Sequence, residues 1–417
     1  MQGRRLLKIA SIAGALSLAP LALTSVAGAK GASNGKSPIV IGFISSLTGV
    51  ASSDYADAAR GAQARVDAQN AEGGVNGHPL KLIVGDDQSS PANNATVAED
   101  LVQTKGAFGV IDLSSFTFGG APYLTSHGIP VTGYQFDGPE WSEPSSTNMF
   151  SYEAPALGPF DGTYYGYDSG IAKFLKAHGV TKMGGLSYGI SPSAQRASNQ
   201  LLEALNRVGV PTCYNNTSVP FGAVDFTADV LSLKSAGCNG VEGPFVESGD
   251  VALSQAVKNG GLKATQMYFT GYNQTTLSEP AARNALDGDY ITNSVNFTNP
   301  NTPTKNMLDT LAKYDHNFQK SSIPDIGLYN AYLGADLMIY GLQHAGANPT
   351  RQSFITNLRK VTSYNAEGVL PSPVTFAHLG SVQMLPKQSC EYMYQLNGGK
   401  FVEVNGGKPI CSPRAAY

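Results

Sequence analysis

The sequence predicts an α/β protein with two lobes, each built on a doubly wound parallel sheet. The chain has 417 residues, which is too long for one ordinary domain of about 150 residues and long enough for two. Short apolar strands alternate with helical stretches along most of the chain, and this alternation implies parallel strand pairing. With 42% hydrophobic and 14% charged residues, the chain can bury two sizeable cores.

The first alternating series is predicted to form the first sheet. Its apolar runs are short and bounded by Gly, Ser and Asp, as expected for buried strands. In chain order it has a strand over 39–44, a polar turn over 45–49, a helix of small residues, a second strand before Asp86 and Asp87, a helix over 93–103, a strand over 108–113 and a helix over 120–126.

A second series is predicted to form the second sheet, with helices over 158–178, 193–208, 225–235 and 250–259 and strands over 183–186, 210–214, 241–246 and 266–269. Three further helices over 304–320, 328–345 and 350–360 are assigned to the first lobe, and 387–411 to two short strands. The predicted lobes are therefore 38–155 with 295–370, and 156–294 with 371–417. The chain would cross between them near residues 155, 295 and 370.

An ordered set of residues near the start of the first lobe resembles the bacterial Leu/Ile/Val-binding proteins. The run I-x-I-G-x-I-x-x-L-T-G covers 39–49, and Gly61-Ala62, Asn70, Gly73 to Gly77 and Asp86-Asp87 follow it. The family consists of extracytoplasmic solute-binding proteins of ABC importers. The resemblance implies the type I periplasmic-binding-protein fold, with two lobes and a three-segment hinge. It also implies capture of a small solute (an amino acid, amide or small organic acid) by hinge closure, and a permease in the membrane as partner.

Residues 1–29 are predicted to be a secretory signal peptide. Three basic residues precede an apolar run over 9–26, which ends in Ala27-Gly28-Ala29, an A-x-A cleavage pattern. Cleavage before Lys30 would yield a soluble, monomeric protein that is exported to the periplasm or the medium. An uncleaved membrane anchor is the alternative, and the Arg4-Arg5 pair leaves twin-arginine export open beside the general route.

The four cysteines are predicted to form disulfides, because an even number in an exported chain favours oxidation. Of the three possible pairings, Cys213 with Cys238 and Cys390 with Cys411 closes the shortest loops. The sequence contains no C-x-x-C motif and no Cys/His cluster, so no zinc or other metal site is predicted.

The ligand site is predicted at the carboxyl ends of the strands, where ligands bind in open parallel sheets. The family resemblance implies that a Ser hydroxyl and backbone N–H groups at 114–115 hold a ligand carboxylate, although these serines could simply cap the next helix. The aromatic candidates could clamp an apolar ligand or pack in the core. The predicted contacts are Ser114, Ser115, Phe116, Gln135, Phe136, Tyr188, Phe245 and Tyr272.

Two of the loops that carry these predicted contacts depart from the family pattern. Gly133 to Phe136 lacks the Thr that completes the carboxylate site, and Tyr272 stands where an acidic residue would pair with the ligand ammonium. Because an ammonium buried without a counter-charge is costly, we expect a small acid, amide or similar solute without a free ammonium. Glu247 is the alternative partner should an ammonium be bound.

The sequence does not predict an enzyme or a nucleic-acid-binding protein. It has no G-x-S-x-G, no H-E-x-x-H and no phosphate-binding loop, so no cofactor is expected. The net charge is −3, and no basic cluster follows residue 10. A sensory module that signals to a membrane partner is the alternative to an importer component. It is disfavoured because no apolar stretch of 18 or more follows residue 30.

Overall fold

The computed structural model describes residues 36–135, 138–154, 160 and 162–417. The predicted signal peptide over 1–29 and the candidate Phe136 therefore lie outside the described residues.

Five parallel strands form the first sheet, in the order β2-β1-β3-β4-β5. The central strand β1 has the sequence IVIGFIS and is buried along almost its whole length, which agrees with the apolar runs expected in a sheet covered on both faces. The strands are β1 (Ile39–Ser45), β2 (Leu80–Asp86), β3 (Gly109–Leu113), β4 (Val131–Gly133) and β5 (Met149–Ser151).

The second sheet has eight strands and mixed pairing. Its main path runs β13-β12-β11-β10-β9-β7-β8, with β14 paired to β12, and a separate small sheet joins β6 to β15. The eight strands of the second sheet are β7 (Met183–Tyr188), β8 (Thr212–Val219), β9 (Gly240–Gly243), β10 (Thr265–Tyr268), β11 (Tyr290–Asn293), β12 (Gln388–Asn397), β13 (Lys400–Glu403) and β14 (Ile410–Pro413). The small sheet consists of β6 (Tyr165–Gly166) and β15 (Ala415–Ala416). The strands β7 to β11 are parallel, whereas β12, β13 and β14 pair antiparallel, so the C-terminal tail extends a parallel sheet with an antiparallel edge.

Thirteen α-helices are found in the described part of the chain. They are α1 (Ser52–Tyr55), α2 (Ala58–Ala71), α3 (Pro91–Glu99), α4 (Thr117–Ser126), α5 (Ser169–Ala177), α6 (Pro192–Arg207), α7 (Thr227–Ser235), α8 (Glu247–Asn259), α9 (Gln274–Ser278), α10 (Pro280–Leu286), α11 (Thr302–Tyr314), α12 (Ile326–His344) and α13 (Arg351–Leu358). Among the described residues, no helix is long and apolar enough to cross a membrane.

The helix α12 packs against α2, β3 and β4 of the first sheet, although it follows β11 of the second sheet in the chain. The contact with α2 is unusually close, because a Cβ at Gly61 would lie 1.8 Å from the carbonyl oxygen of Leu328. The chain thus passes from the first sheet to the second, back to α11–α13, and again to the second sheet at β12. The predicted fold class, two α/β lobes with a three-segment connection, is confirmed.

Both predicted disulfides are present in the structure. Cys213 on β8 bonds to Cys238, and Cys390 on β12 bonds to Cys411 on β14. The second bond joins residues that lie opposite each other in the antiparallel pair of β12 and β14, so the disulfide and the strand pairing hold the C-terminal tail in one register.

Candidate ligand-binding cleft

A cavity of about 250 Å³ lies between the two sheets. Loops at the carboxyl ends of parallel strands supply most of its lining, because in both sheets these ends face the cleft. The first sheet contributes Ser115, Phe116, Tyr134, Gln135 and Glu153 after β3, β4 and β5, together with Asp54 and Tyr55 of α1. The second sheet contributes Tyr188, Ile190, Pro244, Phe245, Val246, Phe269, Thr270, Asn293 and Ser294 after β7, β9, β10 and β11.

Five of the eight predicted contact residues line this cavity: Ser115, Phe116, Gln135, Tyr188 and Phe245. Sequence reasoning placed these residues at strand ends, and the sheets bring those ends together. Whether these side chains contact a ligand stays a prediction.

Ser114 is turned away from the cavity and supports the loop that carries Ser115. It is fully buried; its hydroxyl donates to the carboxylate of Asp87 and accepts a 3.0 Å hydrogen bond from the N–H of Phe116. Asp87 also accepts from the hydroxyl of Ser46 at 2.7 Å. Ser114 and Asp87 therefore stabilise the turn between β3 and α4, which presents the next two residues to the cleft.

Tyr272 also lies away from the cavity. Its ring stacks on that of Tyr394 with centroids 3.8 Å apart, and its hydroxyl pairs with that of Thr298 at 2.6 Å. Tyr394 belongs to β12, an antiparallel strand that the tail adds beside β11, and this strand covers the Tyr272 ring. The structure therefore assigns Tyr272 to packing, and we do not include it among the proposed contacts. That Tyr272 stands in place of an acidic partner, so that the solute lacks a free ammonium, stays a prediction.

The alternative ammonium partner, Glu247, is also occupied internally. Its carboxylate accepts hydrogen bonds from the side chains of Asn273 and Thr276, the latter at 2.7 Å, and the residue is not part of the cavity lining. Burial raises the pKa of Glu247. Its backbone N–H donates to the carboxylate of Asp54 at 2.8 Å, so α8 of the second sheet is tied to α1 of the first at the edge of the cleft.

Aromatic rings form one wall of the cavity. Phe221 lies 5.1 Å from Phe116 and 4.9 Å from Tyr188, and Tyr188 lies 4.5 Å from Phe245, measured between ring centroids. The rings meet edge-to-face or tilted, the arrangement that aromatic side chains favour. Phe221 was missed by sequence reasoning, because it lies in an irregular segment after β8 with no periodic pattern.

Part of the lining is acidic, which sequence reasoning did not predict. Asp54, Glu153, Asp168 and Glu391 all line the cavity, whereas none of the described lining residues is Lys, Arg or His. A signal for Glu153 was available, because it follows the strand Met149–Ser151 by two residues and so lies at a strand end, where ligands bind in open parallel sheets. Asp168 and Glu391 have no comparable local signal.

The environment of these acids opposes their ionisation. Burial raises the pKa of Glu153 to about 7, with repulsion from Glu391 adding to it, while hydrogen bonds with Ser294 and Tyr134 act in the other direction. Burial likewise raises the pKa of Asp168 to about 7, reinforced by Glu391 and opposed by Arg196. Burial also raises the pKa of Glu391. The cavity thus combines an apolar aromatic wall with carboxyl groups whose pKa is raised by burial, to about 7 for Glu153 and Asp168.

Two α/β units with a lined cavity at the strand ends between them define a solute-binding protein of the two-lobed class. Residues 38–400 match the family described as periplasmic binding protein. The chain therefore belongs to this family. The predictions of the family, of the fold and of a binding protein in place of an enzyme are confirmed.

Individual relatives are distant. A Leu/Ile/Val-binding protein homologue of Brucella abortus is 25% identical over 319 residues, which cover 74% of this chain and 79% of the relative. A Leu/Ile/Val-binding protein of Rhizobium johnstonii is 23% identical over 393 residues, 93% of this chain and 99% of the relative.

Solved structures share the fold at low identity. The solute-binding protein of an ABC transporter from R. palustris, in complex with benzoate, has a TM-score of 0.72 at 16% identity and covers 91% of this chain and 98% of its own. A branched-chain amino acid ABC transporter structure from Thermus thermophilus with bound valine has a TM-score of 0.74 at 16% identity, with 90% and 97% covered.

Proposed function

We propose that the chain is the extracytoplasmic substrate-binding protein of an ABC importer. In this proposal it captures a small solute between its two lobes, acts as a monomer and delivers the solute to a permease. The proposed first lobe comprises 38–155 with 295–370, and the proposed second lobe comprises 156–294 with 371–417. The supporting observation is a cavity lined from the strand ends of both sheets, because a solute held there would contact both lobes at once.

The proposed contacts are Ser115, Phe116, Gln135, Tyr188 and Phe245. Ser115 lies two residues before α4 and lines the cavity, so its hydroxyl can bind a ligand oxygen. The aromatic residues would bury the apolar part of the solute, at about 25 cal/mol per Å² of apolar surface. Similar folds hold valine in one solved structure and benzoate in another, so the fold accommodates both amino acids and small aromatic acids.

Ligand capture is proposed to proceed by hinge closure. Hydrogen bonds join the two lobes beside the cleft: the N–H of Glu247 donates to Asp54 at 2.8 Å, the Thr275 hydroxyl donates to Asp325 at 3.0 Å, and the N–H of Gln274 donates to the carbonyl oxygen of Ile323 at 2.9 Å. A solute that contacts both lobes favours the closed state by the difference between its affinities for the closed and open states.

A thermal-shift screen of the exported form against amino acids, amides and small acids tests the binding function. A ligand at about 100 times its Kd stabilises the folded state by roughly 2.7 kcal/mol, which is readily detected. Small-angle scattering with the best solute should show a smaller radius of gyration. A screen without any stabilising solute, or an unchanged radius at saturation, would overturn the proposal.

A pair of serine variants localises the site. Ser115→Ala should weaken binding of the best solute by about tenfold, the effect of losing one hydrogen bond to a ligand. The matched control Ser235→Ala, exposed at the end of α7, should leave it unchanged. Deleting the gene should abolish uptake of that solute; loss of a signalling response with uptake intact would favour the sensory alternative.

A further inference from the structure

A short turn after β8 of the second sheet reaches the first lobe beside the cavity. Residues 220–223 form this turn, which is closed by a 3.0 Å hydrogen bond from the N–H of Ala223 to the carbonyl oxygen of Pro220. Gly222, at its third position, has a φ of +81°, a conformation that favours glycine at this position of a β-turn. We call residues 220–223 the rim turn. Its two central residues, Phe221 and Gly222, each contact the first lobe.

Phe221 packs against Phe116 across the cleft. The two ring centroids lie 5.1 Å apart and the ring planes meet at 81°, the edge-to-face arrangement that aromatic pairs favour. Phe116 follows β3 of the first sheet, and both rings line the cavity. Because the two rings belong to different lobes, they must separate when the cleft opens.

Gly222 packs against Val50, which follows β1 of the first sheet. A Cβ at Gly222 would lie 2.9 Å from Cγ2 and 3.8 Å from Cβ of Val50, and real Cβ atoms essentially never approach another atom within 3.0 Å. The fit therefore depends on the absence of a side chain at Gly222. Neither residue is among the described residues that line the cavity, so this contact can affect a bound solute only through the relative position of the lobes.

Both sides of these contacts are anchored within their own lobe. Before the rim turn, the carbonyl oxygen of Val219 accepts a 3.0 Å hydrogen bond from the N–H of Gly189, and after it Phe226 is 1% exposed. In the first lobe, the N–H of Ala51, next to Val50, donates to the Ser89 hydroxyl at 3.0 Å. Relative movement of the lobes is therefore what makes and breaks the two contacts.

We infer that the rim turn is a gate for solute release: the contacts of Phe221 with Phe116 and of Gly222 with Val50 set the lifetime of the closed, loaded state. This inference rests on the proposed solute-binding function and assigns the control of release to contacts between the lobes. Opening the cleft transfers the apolar surface of both contacts to water, which is unfavourable. The contacts therefore slow dissociation, whereas a solute enters the open cleft before they form.

A cross-link tests the closed contact without any solute. In the double variant Val50→Cys/Gly222→Cys, the two Cβ atoms would lie 3.8 Å apart, the usual separation in a disulfide, and all four native cysteines are paired. We expect mild oxidation of the ligand-free protein to join the two introduced thiols, as read by non-reducing peptide mapping. The control Val50→Cys/Gly179→Cys should stay unjoined, because nothing lies within 4 Å of a Cβ at Gly179. Absence of the cross-link in the first variant would overturn the inference.

Dissociation rates separate a gate from ordinary packing. They are measured by stopped flow with valine, benzoate and every further solute that the thermal-shift screen detects. Gly222→Ala should speed dissociation by about tenfold, because its Cβ overlaps Val50 only when the cleft is closed. Adding Val50→Ala should return the rate toward that of the wild type. Gly179→Ala introduces the same backbone strain at a φ of +89° without a neighbour, and it should leave the rate unchanged.

Phe221→Ala should likewise speed dissociation by about tenfold, whereas Phe221→Tyr, which keeps the ring, should stay close to the wild type. Val224→Ala is the control in the same segment, because Val224 is 77% exposed. The melting temperature of each ligand-free variant checks its folding. An unchanged rate in Gly222→Ala, or no rescue by Val50→Ala, would overturn the gate while leaving the solute-binding function in place. If the cross-link forms but no solute binds, the proposed function fails, and the assignment of a gate fails with it.

Discussion

The carboxyl group of Glu242 should make the stability of this protein depend on pH, and Glu242→Gln should remove that dependence. Glu242 lies on β9 and is fully buried. One carboxyl oxygen accepts from the hydroxyl of Ser198, and the other has no partner among the described residues. Burial raises the pKa from 4.5 to about 8, and Asp168 adds a smaller electrostatic contribution.

The sign follows from proton linkage. Below pH 4.5 the carboxyl is protonated in the folded and unfolded states alike, so it has no effect on stability. Between pH 4.5 and about 8 the unfolded chain ionises while the folded protein keeps its proton, so the free energy of unfolding falls as the pH rises. A shift of this size corresponds to an upper limit of about 5 kcal/mol, at 1.36 kcal/mol per pKa unit.

Glutamine keeps the shape of the side chain and cannot ionise, so the variant should avoid this loss. For a folded unit of roughly 380 residues, an unfolding entropy of about 2.1 cal/mol/K per residue converts 5 kcal/mol into about 6 °C. We therefore expect the melting temperature of Glu242→Gln to exceed that of the wild type by up to this amount at about pH 9 and to differ little at about pH 5.

The measurement is a series of calorimetric melting curves across this pH range. Glu143→Gln, at an exposed glutamate, is the matched control and should follow the wild type throughout. The groups with raised pKa that do not act on Glu242 affect both proteins alike and cancel in the comparison; Asp168, which acts on Glu242, does not. Parallel curves for the wild type and Glu242→Gln from pH 5 to pH 9 would refute the reasoning.

Three further predictions concern processing and packing. Amino-terminal sequencing of the exported protein should begin at Lys30, and a Met1 start on a membrane-bound protein would contradict cleavage. The double variant Cys213→Ser/Cys238→Ser should lose roughly 3 kcal/mol of stability, as expected for a loop with a sequence separation of 25; an unchanged denaturant midpoint would exclude this contribution. Gly61→Ala should cost about 2 kcal/mol or more by chemical denaturation, because its Cβ would overlap the carbonyl oxygen of Leu328 and force α2 and α12 apart. A free energy of unfolding for Gly61→Ala equal to that of the wild type would contradict this reasoning.

Local pattern was sufficient to predict the elements that build the fold. The apolar run of β1 and the alternation of strands and helices were both predicted. The disulfide pairs were also predicted, because each closes a short loop. These features depend on residues near one another in the chain, where periodicity, turn residues and loop length report directly on structure.

The same patterns predicted which strand ends form the cleft, but they did not predict which side chains line it. Ser115 was placed correctly at a strand end, whereas its neighbour Ser114 is used to hold the loop through Asp87. At this turn only the three-dimensional path of the backbone decides which hydroxyl faces the cavity. A family motif could therefore identify the segment without identifying which side chain is available to a solute.

The amino-acid sequence by itself determined the two-lobed α/β fold, the position of the cleft and the disulfides. The tertiary structure alone decided that Tyr272 is covered by Tyr394 and that Glu153 and Glu391 share one cavity. Both outcomes arise because the C-terminal strand β12 returns beside β11 after a long excursion through α11–α13. Contacts between segments so far apart leave no periodic signal in either segment, since each side chain's partner is set by the chain crossings and not by its own neighbours in the sequence.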